Sequence, residues 1–148
     1  MCVLLALRML SPPPDFAVVD FGLRPVDPEH RLSVTAFVEV TNRGSGAYDP
    51  ENGESARLRV EFAAQDFIEG SYSAWRRLNR PVPAGSSLMV EFPRRRLDLG
   101  LGEIPDNILV RFHIDPGRVV REASVENNVA EGCFDWRTGR FSKAPCGE

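Results

Sequence analysis

The sequence predicts an all-β fold, an immunoglobulin-like antiparallel β-sandwich of about seven strands. Three observations lead there. Apolar and polar residues alternate with period two in four separate runs, the pattern of strands buried on one face. The 12 Gly and 12 Pro are spread along all 148 residues, which suits many short turns. No stretch long enough for a helix carries a 3.6-residue period. One-sided strands bury their apolar faces only against another sheet, hence a sandwich. The apolar share of 43% and charged share of 26% exclude wholesale disorder.

Met1–Leu10 (MCVLLALRML) is too short to span a bilayer and lacks the basic start and cleavage site of a secretory signal. It is read, with Ser11–Pro14, as a leader remnant or Pro-rich tail over 1–14. The folded domain is expected over 15–134, beginning with an edge strand at Asp15–Leu23 that Pro25 and Pro28 end. Leu32, Val34, Ala36, Val38 and Val40 then alternate with Ser33, Thr35, Phe37, Glu39 and Thr41. Asn42 to Gly46 is a turn. Ala56, Leu58, Val60 and Phe62 alternate with Arg57, Arg59 and Glu61. The loop between them, Asp49–Glu54, is acidic and reads as solvated.

The segment Phe67–Arg80 is ambiguous. As a strand it puts Tyr72, Ala74, Arg76 and Leu78 on one face and Trp75 on the other, where Trp75 is expected to cap the sandwich. Pro83–Ser86 is a turn before Leu88, Val90 and Phe92. Gly100, Gly102 and Pro105 precede Ile108, Val110, Phe112 and Ile114, which alternate with Leu109, Arg111, His113 and Asp115. Residues 135–148 form a C-terminal tail. No cysteine lies between Cys2 and Cys133, so the inter-sheet disulfide of antibody domains is excluded. Tyr48 and Tyr72 lie outside the late strand that would carry a tyrosine corner.

The last third carries the most specific pattern. Ile108–Ile114, then Asp115-Pro116, Val119-Val120, Glu122 and Glu126-Asn127-Asn128 follow one another in an order that resembles the cell-adhesion-related domain found in bacteria (CARDB). Pro14–Val18, Val38–Gly44 and Pro83–Val90 are similar to that family's opening strand, its Asn-x-Gly turn, and its Ala-Gly turn with the next strand. The resemblance covers Asp15 to Phe134. It departs at Phe21, where Trp is common, and at the insert Tyr48–Glu54. It implies the sandwich, a short Val-rich strand ending at Glu122, and a non-catalytic secreted or cell-surface module of a bacterial protein. The implied partner is a protein or glycan at the cell surface, for adhesion or ligand binding. The alternative is an accessory, carbohydrate-binding domain of a secreted hydrolase.

Catalytic signatures are missing. No Gly-x-Ser-x-Gly elbow occurs, Gly100-Leu101-Gly102 lacks a third glycine, and His30 and His113 have no metal-ligand spacing. Net charge −3 and pI about 5.5 argue against a nucleic-acid binder. Asp115, Glu122, Glu126, Asn127 and Asn128 offer oxygens for calcium, the one cofactor the sequence suggests. The structural reading is preferred, in which these side chains lock turns through backbone amides. In an oxidising compartment Cys133 and Cys146 would close a small loop. Trp75, Arg76 and Arg77 are the candidate binding residues, because an exposed indole beside guanidinium groups suits an anionic or sugar ligand. Arg94–Arg96 read as a solvated edge guarded against pairing.

Overall fold

The computed structural model describes residues 12–52, 55–67, 72–122 and 127–146. Nine strands run β1 Phe16–Asp27, β2 His30–Asn42, β3 Arg57–Ala63, β4 Tyr72–Arg77, β5 Ser87–Glu91, β6 Arg95–Arg96, β7 Asn107–Ile114, β8 Val129–Asp135 and β9 Arg140–Ser142. They form two antiparallel sheets. One is four-stranded, ordered β1-β2-β5, with β6 also on β2. The other is five-stranded, ordered β4-β3-β7-β8-β9.

The apolar faces of β2, β3 and β7 meet in the middle. Val34, Ala36, Val38, Val40, Leu58, Val60, Phe62, Ile108, Val110, Phe112 and Ile114 are all buried. Phe112 is an aromatic hub of the core: its ring centroid lies 5.5 Å from Phe21 and 6.1 Å from Phe92. Leu88 and Val90 are only half-buried, because β5 lies at the edge of its sheet.

Several expectations need correction. The first strand is an edge strand, but it runs through Pro25 to Asp27, since at an edge a missing N–H costs no ladder bond. The sheet does not stop at Phe134. β8 continues to Asp135, and β9 pairs with it, Phe134 opposite Phe141. Gly139, with φ 76°, makes the turn between them. Gly132 leaves room for the Phe141 ring, which packs on Phe21 at 5.9 Å. No strand forms at Val119–Glu122: the Val119 and Val120 amides turn back onto the Asp115 carboxylate instead.

Arg95 and Arg96 do pair, with Val34 and Ser33 of β2. Arg95 Nε donates to the Ser73 carbonyl across the gap between sheets (3.3 Å), and Arg76 Nε donates back to the Glu91 carbonyl (3.0 Å). These two arginines strap β4 to the β5–β6 edge.

Two buried polar hubs fix the upper loops. Asn42 accepts from the amides of Asp15 and Gly44 and donates to the carbonyls of Gly46 and Val82, so all its bonds are made. Tyr48 Oη donates to the Leu78 carbonyl (2.7 Å) and accepts from the Ala56 amide (3.0 Å), with its ring edge-on to Phe16. A tyrosine thus ties loop to core, from the insert instead of the late strand. Pro50–Asn52 form a 3-10 turn after it.

A groove on the outer face of the five-stranded sheet

Strand alternation sends Arg57, Arg59 and Glu61 of β3, Ser73, Trp75 and Arg77 of β4, and Arg111 and His113 of β7 to the outer face. The register places Arg57 opposite Arg77, Arg59 between Trp75 and His113, and Glu61 between Ser73 and Arg111. Trp75 therefore does not cap the sandwich; it lies on the outside, 42% exposed. Arg59 Cζ sits 5.2 Å from the indole centroid, within cation–π range.

The charges along this face are not evenly paired. Glu61, nearly buried, takes both Arg59 Nη2 (3.2 Å) and Arg111 Nε (3.0 Å) on one oxygen. Arg57 and Arg77 have no ion pair among the described residues, although they face each other directly across β3 and β4. Arg59 Nε is buried without a hydrogen-bond partner. His113 Nδ1 lies 3.4 Å from Arg59 Nη2. A guanidinium only donates, so Nδ1 accepts and the ring is neutral there. Burial, then the charges of Arg59 and Arg111, hold His113 below its usual value.

At the Arg57–Arg77 end the face deepens into an open groove of about 730 Å³. Arg57, Arg59, Trp75 and Arg77 form one side, and the loop from Asp115 to Val119 the other. Asp115 adopts a left-handed φ of 51°, and its two carboxylate oxygens accept the amides of Val119 (3.0 Å) and Val120 (2.9 Å). The loop amides hold this carboxylate, and no ion pair among the described residues joins it to Arg57 or Arg77.

The structure thus brings together Trp75 and Arg77 but separates Arg76, which points the other way to its strap on β5. It adds Arg57 and Arg59. The sequence signal for these was available: Arg-x-Arg in one strand and Trp-x-Arg in the next put four such side chains on one face.

The proposed calcium set divides into two networks. Asp115 serves its own loop. Glu122 Oε1 accepts the Phe16 amide (2.9 Å), and Oε2 accepts Asn128 Nδ2 (2.6 Å). Asn127 contributes its carbonyl to the Val18 amide. Asn127 Oδ1, Asn128 Oδ1 and Asp15 Oδ1 are buried without a partner. Glu126 lies outside the described residues. Among the described residues no group of three or more His, Cys, Asp or Glu side chains is placed to hold a metal. Burial raises the Glu122 carboxyl above its usual range. The Phe16 and Asn128 hydrogen bonds oppose this, and the charges of Asp115 and Asp15 add to it.

Cys133 and Cys146 are joined, with Cα atoms 4.9 Å apart. Trp136 Nε1 donates to the Pro105 carbonyl (2.8 Å), which folds the tail over the lower loops. No helix among the described residues is long and apolar enough to cross a membrane.

No family model matches the chain, and no curated protein matches it. Solved structures do. A domain of a protein assigned to the cell surface in Methanosarcina acetivorans is 20% identical, covering 82% of this chain and 90% of its own, with a TM-score of 0.50. The CARDB domain of a Pyrococcus furiosus protein, solved in complex with di-metal ions, is 16% identical over 80% of this chain and 89% of its own, with a TM-score of 0.49. The likeness to the Methanosarcina acetivorans domain is one of fold.

Proposed function

We propose that the chain is a non-catalytic binding module of a secreted or cell-surface protein, and that it binds through the groove at Trp75. The observation that carries this reading is the exposed indole beside arginines, two of which face each other with no ion pair among the described residues. Like charges directly opposite on adjacent strands destabilise a sheet. An exposed Trp in a groove is the kind of anchor that dominates binding energy. A domain serving only as a spacer needs neither. The likeness in fold to a domain assigned to the cell surface supports the location, as does a disulfide, which persists in oxidising compartments. A protein or glycan at the surface is the partner class.

Binding of the wild-type chain to arrayed glycans and purified surface proteins, beside Trp75→Ala, tests the reading. Trp75 is on the outside, so the variant should keep the wild-type melting temperature. At least one ligand should be retained by the wild type and lost by the variant. A ligand retained equally by both proteins would place binding outside this groove, and no ligand for either would make the domain a spacer.

A further inference from the structure

We infer that the groove at Trp75 takes an acidic saccharide, a chain of pyranose rings bearing carboxylates. This rests on the reading of that face as a binding surface, and it names the ligand's chemistry.

Two groups of features define the occupant. Arg57 and Arg77 stand opposite each other on adjacent strands, with no ion pair among the described residues. Among the described residues the acid lining the groove is Asp115, whose two oxygens accept the amides of Val119 and Val120. Two facing guanidinium groups without an ion pair favour an anionic occupant, and planar guanidinium groups bind carboxylates through paired hydrogen bonds. Beside them lies the indole face, 42% exposed on rigid strand backbone, with Val119 across the groove also 42% exposed. A pyranose ring offers a flat C–H face to an indole and, in a uronic acid, a carboxylate at its rim. One ring on Trp75 thus brings its charge toward the arginines. At about 730 Å³ the open groove is of small-ligand size.

An acidic peptide fits less well. Extended peptides gain affinity by adding a strand to a sheet edge. The edge beside Trp75 is β4, and there Arg95 Nε already occupies the Ser73 carbonyl and the Arg76 side chain crosses to β5.

Calorimetric titration of the full chain with hexagalacturonate, its methyl ester and hexaglutamate at 50 and 200 mM salt tests the inference. Hexagalacturonate should bind, and at least tenfold more weakly at the higher salt. Esterification, Trp75→Ala, and the pair Arg57→Gln with Arg77→Gln should each cost at least tenfold, in variants whose melting temperatures show that they fold. Hexaglutamate binding as tightly, with the same sensitivity to Trp75→Ala, would overturn the saccharide and leave the binding surface standing. If neither probe binds while an arrayed ligand is still lost in Trp75→Ala, the saccharide alone falls. If neither probe binds and no arrayed ligand is lost, both readings fall.

Discussion

Glu122 shows how one side chain both builds and taxes this fold. Its carboxylate satisfies the Phe16 amide and the Asn128 amide, yet burial and the nearby acids Asp115 and Asp15 disfavour its charge. Because the folded state holds the Glu122 proton more tightly than the unfolded chain does, this residue's contribution falls as pH rises from its ordinary 4.5 through the raised folded value. At pH 7, Glu122→Gln should therefore melt at or above the wild type. Gln still accepts from Phe16, and Asn128 can turn its unpartnered Oδ1 toward the new amide. Glu122→Ala should instead lose about 1–3 kcal/mol, since it strands a buried N–H. Thermal melts from pH 4 to 7 separate the two. If Gln proves as damaging as Ala, the charge itself is what the site needs. Added calcium should leave the wild-type melting temperature unchanged. A rise that disappears in Glu122→Gln would show that the orphaned Asn127, Asn128 and Asp15 oxygens ligate a metal.

At the scale of strands, the pairing of β3 with β4 sets Arg57 against Arg77 at a cost in stability. Arg77→Gln should relieve it and stabilise the chain by about 0.5 kcal/mol, an upward shift in melting temperature that is larger in low salt and vanishes toward 1 M. A fall would mean that Arg77 holds the fold and is not kept for a ligand. The legibility of these strands follows from what pairs with them. β2, β3 and β7 lie inside their sheets with one face on the core, so their alternation is complete and reads directly from Val34–Val40, Leu58–Phe62 and Ile108–Ile114. β4 stays ambiguous in sequence because within it only Ala74 is buried to mark its inner side; its partner β3 decides it. Val119 and Val120 look like a strand, but the Asp115 carboxylate takes their amides first, a choice no propensity reveals. The Asn42 turn was legible as a short motif, whereas Tyr48 was not, because its partners Ala56 and Leu78 are set by the tertiary fold. In the groove, Trp75 and Arg77 were visible as residue types. Alternation already puts Arg57 and Arg59 on one face; that this face lies beside Trp75 and Arg77 is set by the pairing of β3 with β4.

The molecule as a whole is closed on its two sides by different means. Arginines strap the β4 side to β5 and β6. On the other side the C-terminal segment does the work, through Phe141 on Phe21, Lys143 on Asp20, the β9 ladder and the Cys133–Cys146 bond. Lys143 holds the Asp20 carboxyl below its ordinary value, chiefly through their hydrogen bond, but the pair is exposed and adds little. The disulfide, with a sequence separation of 13, adds about 3 kcal/mol if it acts by restricting the unfolded chain. Reduction should thus lower the melting temperature by several degrees at about 2–4 °C per kcal/mol, while leaving β9 in place. Truncation after Phe134 should do more. It removes the disulfide together with Phe141 and Trp136, and it bares the β8 edge, whose unpaired backbone groups favour association. The expected order of melting is wild type, then reduced full chain, then truncated chain, with the truncated chain also sedimenting as oligomers. Equal melting of the reduced and truncated chains would show that the C-terminal segment contributes only through Cys146. Melting of the truncated chain within two degrees or so of the wild type would return the tail to the status of an appendage and restore Phe134 as the end of the domain.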